Sequence, residues 1–469
     1  MENDQEELYQ TVIANKYCIG CGVCAASEDS PFDMAFNEKG QYQPVMKERQ
    51  AAEAYVGNLC ATCPFSDQCR NETEIAASLF GGSAGITFND YTGYYLNTYG
   101  AYVKGDAFRE KGSSGGMGNW IAAKLLEDDL VDAIIHVKEA KDGSGRLFSY
   151  QVSTTVPELL DGAKSKYYPI ELSAVIKQVM ANPGRYAIFG IPCFIKSVRL
   201  LAEKNRIFDE RIIFTIGLVC GHLKSDQFAK SIGWQMGIEP DKLTEIDFRQ
   251  KIPGRKSSDY GVEVSGEVAG QAVTKTALTR DLYTTHWGDG LFKYTACDYC
   301  DDVLAETADV TIGDAWLPEY EKDSNGTNIV VVRNQIIQDV IDRHREELFL
   351  EALSMDKVYQ SQAGGFRHRR QGLAYRLYLK DKKGEWRPQK RVQASADATA
   401  KRKKIYVKRM ALVEESYRAY EAAVKAGDFQ YFITYMNPIL KDYQKVNDRP
   451  FVIRALGKVK RIFLDPLRK

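Results

Sequence analysis

The chain has no apolar run long enough to cross a bilayer. The longest, around Ile212 to Cys220, falls far short of the roughly 20 residues a spanning helix needs. Net charge is absent too, with 63 Lys+Arg against 63 Asp+Glu, which argues against nucleic acid as the main partner while leaving room for a local basic patch. Ten cysteines in 469 residues are too few for a disulfide scaffold; their clustering in C-x-x-C units favours metal in a reducing compartment. Neither a Walker loop nor a G-x-G-x-x-G fingerprint occurs, so nothing supports a nucleoside triphosphatase or a Rossmann-type nicotinamide site. The start, Met1-Glu2-Asn3-Asp4-Gln5-Glu6-Glu7, is acidic and no apolar core follows it. No signal peptide is expected, and the chain reads as soluble and cytoplasmic. With 44% hydrophobic and 27% charged residues the composition is globular, and the length suggests about three domains.

What the chain does have is cysteine in patterned groups. Cys18-Ile19-Gly20-Cys21-Gly22-Val23-Cys24 offers three soft thiolates at a spacing that wraps one face of an iron–sulfur cubane. Its glycines let the backbone approach in conformations a Cβ would forbid. The fourth ligand is displaced, since Ala25-Ala26-Ser27 follows where a bacterial ferredoxin would supply it. Cys63, trailed by Pro64 in Cys60-Ala61-Thr62-Cys63-Pro64-Phe65-Ser66-Asp67-Gln68-Cys69, is assigned to that place. A structural zinc site is the alternative for this segment. A helix from about Asn71, ending in a Gly-Gly-Ser turn near Gly85, marks a plausible boundary.

Further on, Gly112-Ser113-Ser114-Gly115-Gly116 precedes an amphipathic helix over Ile121 to Glu127 and a strand over Val131 to Val137. Free backbone N–H groups at such a helix start suit an anion, although a plain helix start explains the pattern equally well. Lys164-Ser165-Lys166-Tyr167-Tyr168-Pro169 is a basic and aromatic loop suited to a phosphate or a ring, with a solvated loop as the alternative. Strands at Tyr186 to Gly190 and Arg211 to Val219 run into Cys193 and Cys220, each at a strand-to-helix turn. In an open α/β sheet that edge is where ligands bind. Residues from Glu245, from Tyr260 and from Ala272 alternate as strands of an antiparallel insert. Cys297-Asp298-Tyr299-Cys300 by itself is compatible with zinc, a redox dithiol or two unrelated thiols. Together with Cys193 and Cys220 it reads as half of a four-thiolate site. The acidic residues Asp298, Asp301, Asp302, Asp309 and Asp314 could bind a divalent metal, but most are expected in solvent or in turns.

Taken together these motifs resemble the coenzyme F-420 hydrogenase/dehydrogenase beta-subunit family. The resemblance covers about residues 15 to 375. It rests on Cys18 to Cys24, Cys63-Pro64-Phe65-Ser66, Gly112 to Gly116, Ser165-Lys166-Tyr167, Gly190-Ile191-Pro192-Cys193, Cys297 to Cys300 and Ala308-Asp309-Val310-Thr311-Ile312-Gly313-Asp314-Ala315-Trp316. It implies an FAD-containing reductase with a [4Fe–4S] cluster beside the flavin and often ferredoxin-like clusters in addition. Members include subunits that reduce the deazaflavin F-420 and a reductase acting on 7-hydroxymethyl chlorophyll. Carried over by motif, Cys193, Cys220, Cys297 and Cys300 ligate an inner cluster, while Ser113, Ser114, Gly115, Gly116, Lys166 and Tyr167 line the flavin site. Asp314 and Trp316 become a candidate wall between cluster and flavin, and His222 a candidate proton donor. The departures are the missing adjacent cysteine after Cys24, and Cys60 and Cys69, to which the family gives no role.

The fold expected is therefore α/β, with a ferredoxin-like iron–sulfur segment over 1–85, a mixed-sheet FAD and [4Fe–4S] domain over 86–361 and a basic helical region over 362–469. Two clusters and FAD would carry electrons from a ferredoxin-type one-electron carrier to a small organic substrate, with the reverse flow, in which the substrate is oxidised, as the alternative. An electron-transfer subunit or adaptor, with its catalytic partner in another chain, is the alternative. Because no nickel-type pair of cysteine motifs is present, a hydrogenase role would need a separate subunit. The basic end, Lys458-Val459-Lys460-Arg461-Ile462-Phe463-Leu464, suits an acidic membrane surface or an acidic ferredoxin, with a solvated end as the alternative. A homo-oligomer is left open.

Overall fold

Tyr186–Gly190 and Asn328–Val332 are buried at every residue, a state open to a strand only when both faces of its sheet are covered. The computed structural model, which describes residues 4–47 and 57–447, supplies that cover. In chain order the strands are β1 (Phe32–Phe36), β2 (Tyr42–Met46), β3 (Thr87–Asn89), β4 (Gly93–Tyr95), β5 (Asn97–Val103), β6 (Ala133–Glu139), β7 (Phe148–Ser153), β8 (Tyr186–Gly190), β9 (Ile212–Leu218), β10 (Leu243–Gln250), β11 (Gly261–Val268), β12 (Gln271–Leu278), β13 (Val310–Asp314), β14 (Asn328–Val332) and β15 (Leu348–Ala352). Eight of them form one mixed sheet in the order β15-β5-β14-β13-β9-β8-β6-β7. Its centre is parallel, β6 with β8, β8 with β9 and β9 with β13, and antiparallel strands complete both sides. The molecule is α/β, built on a large mixed sheet.

Period-two alternation sorts the side chains of this sheet. Ile134, Ala187 and Phe189 face a layer that includes the helix Met117–Glu127 and Ile337, Val340 and Ile341 of Gln335–Arg343. Ala133, Ile135 and Ile188 face the opposite layer, built from Ser173–Ala181 and Pro192–Ala202. Leu8, Val12, Tyr17 and Ile19 of the N-terminal segment share that second core. Each such side chain, fully buried, contributes about 1.5–3 kcal/mol, so the cysteine loop between them rests on a firm apolar bed. The expected helix after Asn71 is Glu72–Phe80, started by a capping box of Asn71 and Glu74. The helix after the Gly-Ser loop starts at Met117, four residues earlier than its apolar pattern suggests, because Gly116 at φ +83° turns the chain into it.

The antiparallel insert is present as the three-stranded sheet β10-β11-β12. Against it and the helix Asp226–Gln235 packs a pair of C-terminal helices, Ala400–Ala426 and Phe429–Asn447. Residues 387–399, read from composition as part of a helical stretch, are irregular instead. Their backbone N–H groups find side-chain acceptors elsewhere, Gln389 on Asp67 Oδ1 at 2.6 Å and Arg391 on Asp301 Oδ2 at 3.2 Å, so no helix is needed to satisfy them.

The acidic run after Cys300 also departs from expectation. Asp298, Asp301, Asp302, Glu306 and Asp309 are buried rather than solvated. Arg376 and Lys293 hold Asp298, Arg391 holds Asp301 and Glu306, and Arg199 holds Asp309 at 2.7 Å. Charges buried this deeply persist only when paired, and the basic C-terminal region provides much of the pairing. Among the described residues no helix is long and apolar enough to cross a membrane. The basic end at 458–464 lies outside the described residues.

Candidate functional site

Adjacent parallel strands bring two distant cysteines to one edge. β8 ends at Gly190, and Pro192, whose missing N–H costs nothing in a first turn, opens the helix that carries Cys193. β9 ends at Leu218; the chain then leaves the sheet, Cys220 N–H donating to Val303 O at 3.2 Å. The 3₁₀ turn Thr295–Tyr299 presents Cys297, with Cys300 just after it, and Arg376 Nε donates to Asp298 O at 2.6 Å to hold that turn. Leu223 N–H donates to Cys297 Sγ at 3.2 Å. Cys193, Cys220, Cys297 and Cys300 line one small cavity with Ile19, Phe65, Pro192, Leu223 and Arg369.

Cys18, Cys21, Cys24 and Cys63 line a second cavity, closed by Leu8, Val12, Tyr17, Ile19 and Phe65 among others. The loop is shaped by glycine: a Cβ at Gly20 would sit 2.6 Å from Tyr42 O, and one at Gly22 would sit 2.4 Å from Glu171 Oε2, both at positive φ. Cys60 and Cys69 face elsewhere, with Cys60 Sγ donating to Asp4 O at 3.4 Å and Cys69 Sγ to Ser66 O at 3.1 Å.

Burial pushes these thiols up, to about 12 at Cys18 and Cys297 and to about 11 at Cys300. A buried thiol held protonated is inert until a cation takes the proton's place. Among the described residues the one trio of His, Cys, Asp or Glu ligand atoms within 4.8 Å of one another is His344, Glu346 and Glu347. The sulfurs of either cysteine set are therefore spread more widely than a tetrahedral zinc with bonds of about 2.3 Å would hold them. A larger cluster with soft thiolate ligands fits both sets better than a single ion.

A crevice of about 270 Å³ opens at the carboxyl ends of β8, β9 and β13. Cys220 and Leu223 belong to its wall and to the wall of the inner cysteine cavity. Ser113, Ser114, Gly116, Lys166, Tyr167, His222 and Asp314 all line it, as do Trp287 and Lys224. Ser113 Oγ accepts from Ser165 N at 2.7 Å, which ties the Gly-Ser loop to the basic loop, and Ser114 Oγ donates to Thr327 O at 3.2 Å. Lys166 Nζ lies 4.9 Å from the Phe148 ring centroid. Asp314 pairs with the buried Arg249 at 3.0 Å, and Arg249 also donates to Tyr167 Oη at 3.2 Å. Two expected residues stand back from the crevice. Gly115 is pressed against Ala101 O and Asn328, and Trp316 lies beside Arg249, its ring centroid 5.8 Å from the guanidinium carbon.

His222 stacks on Trp287 with centroids 4.3 Å apart, and its Nε2 is buried without a partner. Burial, then Lys224, Lys293 and nearby arginines, hold its pKa well below the ordinary histidine range. It is a neutral ring here, able to donate one hydrogen bond. Lys224 is itself 2% exposed, donating to Leu291 O at 2.6 Å and lying over the rings of Phe228 and Trp287. Sequence reasoning missed Trp287, Lys224, Arg249 and Arg369. Each is brought in by long-range packing, and no local motif marks it.

Two family profiles match the chain, those of the N-terminal and the C-terminal parts of the coenzyme F420 hydrogenase/dehydrogenase beta chain, over residues 98–177 and 184–358 respectively. Together they span more than half of it, and the chain belongs to the coenzyme F420 hydrogenase/dehydrogenase beta-subunit family. It is 20% identical over 350 residues to one of the subunits of the F(420)H(2) dehydrogenase of Methanosarcina mazei, across 72% of this chain and 85% of that one. An uncharacterised protein of Methanocaldococcus jannaschii is 23% identical over 238 residues, across 50% of this chain and 80% of that one. A chain in the solved structure of the F420-reducing [NiFe] hydrogenase complex from Methanosarcina barkeri is similar at 16% identity and a TM-score of 0.47, over 62% of this chain and 96% of that one.

Proposed function

We propose that this protein is an iron–sulfur flavoprotein oxidoreductase that relays single electrons through two [4Fe–4S] clusters to FAD and on to a small organic acceptor. The observation that carries this reading is a row of three cavities with shared walls. Ile19 and Phe65 border both cysteine cavities, and Cys220 and Leu223 border both the inner cysteine cavity and the crevice.

In this reading Cys18, Cys21, Cys24 and Cys63 hold the first cluster and Cys193, Cys220, Cys297 and Cys300 the second. The crevice would take FAD, with Ser113, Ser114, Gly116 and Lys166 suited by their chemistry to hold its phosphates and Tyr167, Asp314 and Trp287 to hold its ring. Bound flavin supplies the step between one-electron and two-electron chemistry that no side chain here offers. The chain's own part would be to keep water out, to offer Trp287 as an aromatic wall and to offer the buried His222 as a hydrogen-bond donor. A ferredoxin-type carrier or a partner chain delivers the electrons. The relative named as part of a dehydrogenase of several subunits favours the second source. An adaptor without a substrate of its own is the competing reading, favoured if no flavin is found.

Protein purified without oxygen is expected to be brown, to hold about eight iron and eight sulfide per chain under this two-cubane assignment, and to release FAD on denaturation. A colourless protein carrying zinc sinks the redox reading, and iron without flavin selects the adaptor. Cys69→Ser should leave the iron content nearly unchanged, because Cys69 stands outside both cavities; a large loss of iron would reassign the ligand.

A further inference from the structure

The two cysteine cavities differ in the charge built into their walls. Arg369 lines the inner one, is 4% exposed, and donates to Cys220 O and, at 3.1 Å, to Gly221 O. Among the described residues it forms no ion pair with a carboxylate, and its Nε has no partner. Of the nearby carboxylates, Asp298 is held by Lys293 at 2.6 Å and Asp301 by Arg391 at 3.4 Å, while Asp302, buried two residues past Cys300, accepts from the backbone N–H groups of Leu304 and Glu306 and lies outside the cavity wall. Arg369 is the one charged side chain among the residues that line this cavity. The N-terminal loop has the opposite neighbour. Glu171 Oε2 would lie 2.4 Å from a Cβ added at Gly22, the residue after Cys21, and accepts from Ser173 N at 2.5 Å.

Reduction adds one negative charge to a cluster that already carries excess negative charge from four thiolates. In a dry site a fixed cation favours that added charge and a fixed anion opposes it, and these are the levers by which a protein sets cluster potentials. We propose that Arg369 is a positioning residue that makes the inner site the stronger electron acceptor of the two, with Glu171 weakening the N-terminal site, so that electrons run inward to the crevice. This rests on the reading that both cysteine sets hold clusters. Each passage moves one electron: an external one-electron donor is oxidised as the N-terminal site is reduced, and that site is reoxidised as the inner one is reduced. No bond or proton changes in either step.

An anaerobic redox titration followed by EPR tests the order. In the unmodified protein the inner signal, identified as the one lost in Cys297→Ser, is expected at the higher potential. Arg369→Gln should shift the inner midpoint negative and leave the N-terminal one in place, while Arg369→Lys, which keeps the charge, preserves the order. Glu171→Gln should shift the N-terminal midpoint positive. An N-terminal site that reduces first, or an inner midpoint unmoved in a loaded Arg369→Gln protein, overturns the inference. If Arg369→Gln does not load iron, the unmodified protein and Glu171→Gln decide between the same two outcomes. Fewer than two iron–sulfur signals would instead overturn the relay reading itself.

Discussion

Cys297→Ser is expected to abolish one of two iron–sulfur EPR signals and about half of the iron, and to leave the other signal unchanged. Cys297 lines the inner cavity with Cys193, Cys220 and Cys300 and has no part in the cavity of Cys18, Cys21, Cys24 and Cys63. Serine keeps the shape but offers a hard oxygen in place of a soft thiolate, which iron–sulfur clusters bind poorly. The 3₁₀ turn should persist, since Arg376 and Lys293 hold it through Asp298 rather than through the sulfur. In the proposed relay, any flavin retained would no longer be reduced by a one-electron donor, because the middle cavity of the row would hold no cluster. Equal loss of both signals would mean that the eight cysteines do not divide into two sets.

The second large effect is on stability. Arg391→Met is expected to lower the unfolding free energy by about 3–5 kcal/mol, the range for removing one partner from a buried ionic network. Arg391 grips Glu306 with two nitrogens, at 2.6 and 3.0 Å, and its Nε reaches Asp301 at 3.4 Å and Glu72 at 3.5 Å. The side chains of those carboxylates are 6% exposed or less, so methionine would leave them facing one another with Lys196, Arg370 and Lys390 as the nearby counter-charges. Four residues away, Arg387 pairs with Asp381 in a half-exposed bridge, and Arg387→Met should cost less than about 1 kcal/mol. Urea unfolding monitored by far-UV circular dichroism reads the contrast as a difference in midpoint at similar slope. Equal midpoints for the two variants would refute the buried-network account.

That pair of arginines marks where the sequence stops being informative. Cysteine spacing, glycines beside thiolates and strands that end at Cys193 and Cys220 are local patterns with a local physical cause, and each was legible. So was the mixed sheet, through buried runs such as Tyr186–Gly190 and the alternating segments of the insert. Charge pairing across the chain has no such local signature. Arg387 and Arg391 look alike in composition, yet one lies at the surface and the other closes on Asp301 and Glu306, about ninety residues away in sequence. The acidic run after Cys300 was read as solvated for the same reason, because its partners lie far off in the chain. Trp287 and Lys224 reach the crevice by packing alone.

The inner cavity draws its wall from Ile19 and Phe65 near one end of the chain, Cys193 to Cys300 in the middle and Arg369 beyond them, and Tyr17 Oη donates to Trp386 O across the same seam at 3.3 Å. During synthesis, then, the N-terminal cysteines leave the ribosome long before the residues that enclose the inner set. The outer cavity has all four of its sulfurs once residue 63 has emerged, while the inner one has no complete wall until residue 369 has followed. In the proposed two-cluster reading, metal delivery to the inner set would be a late event in the life of each chain, and a polypeptide truncated between residues 300 and 369 would carry all eight cavity cysteines without the wall that closes over the last four.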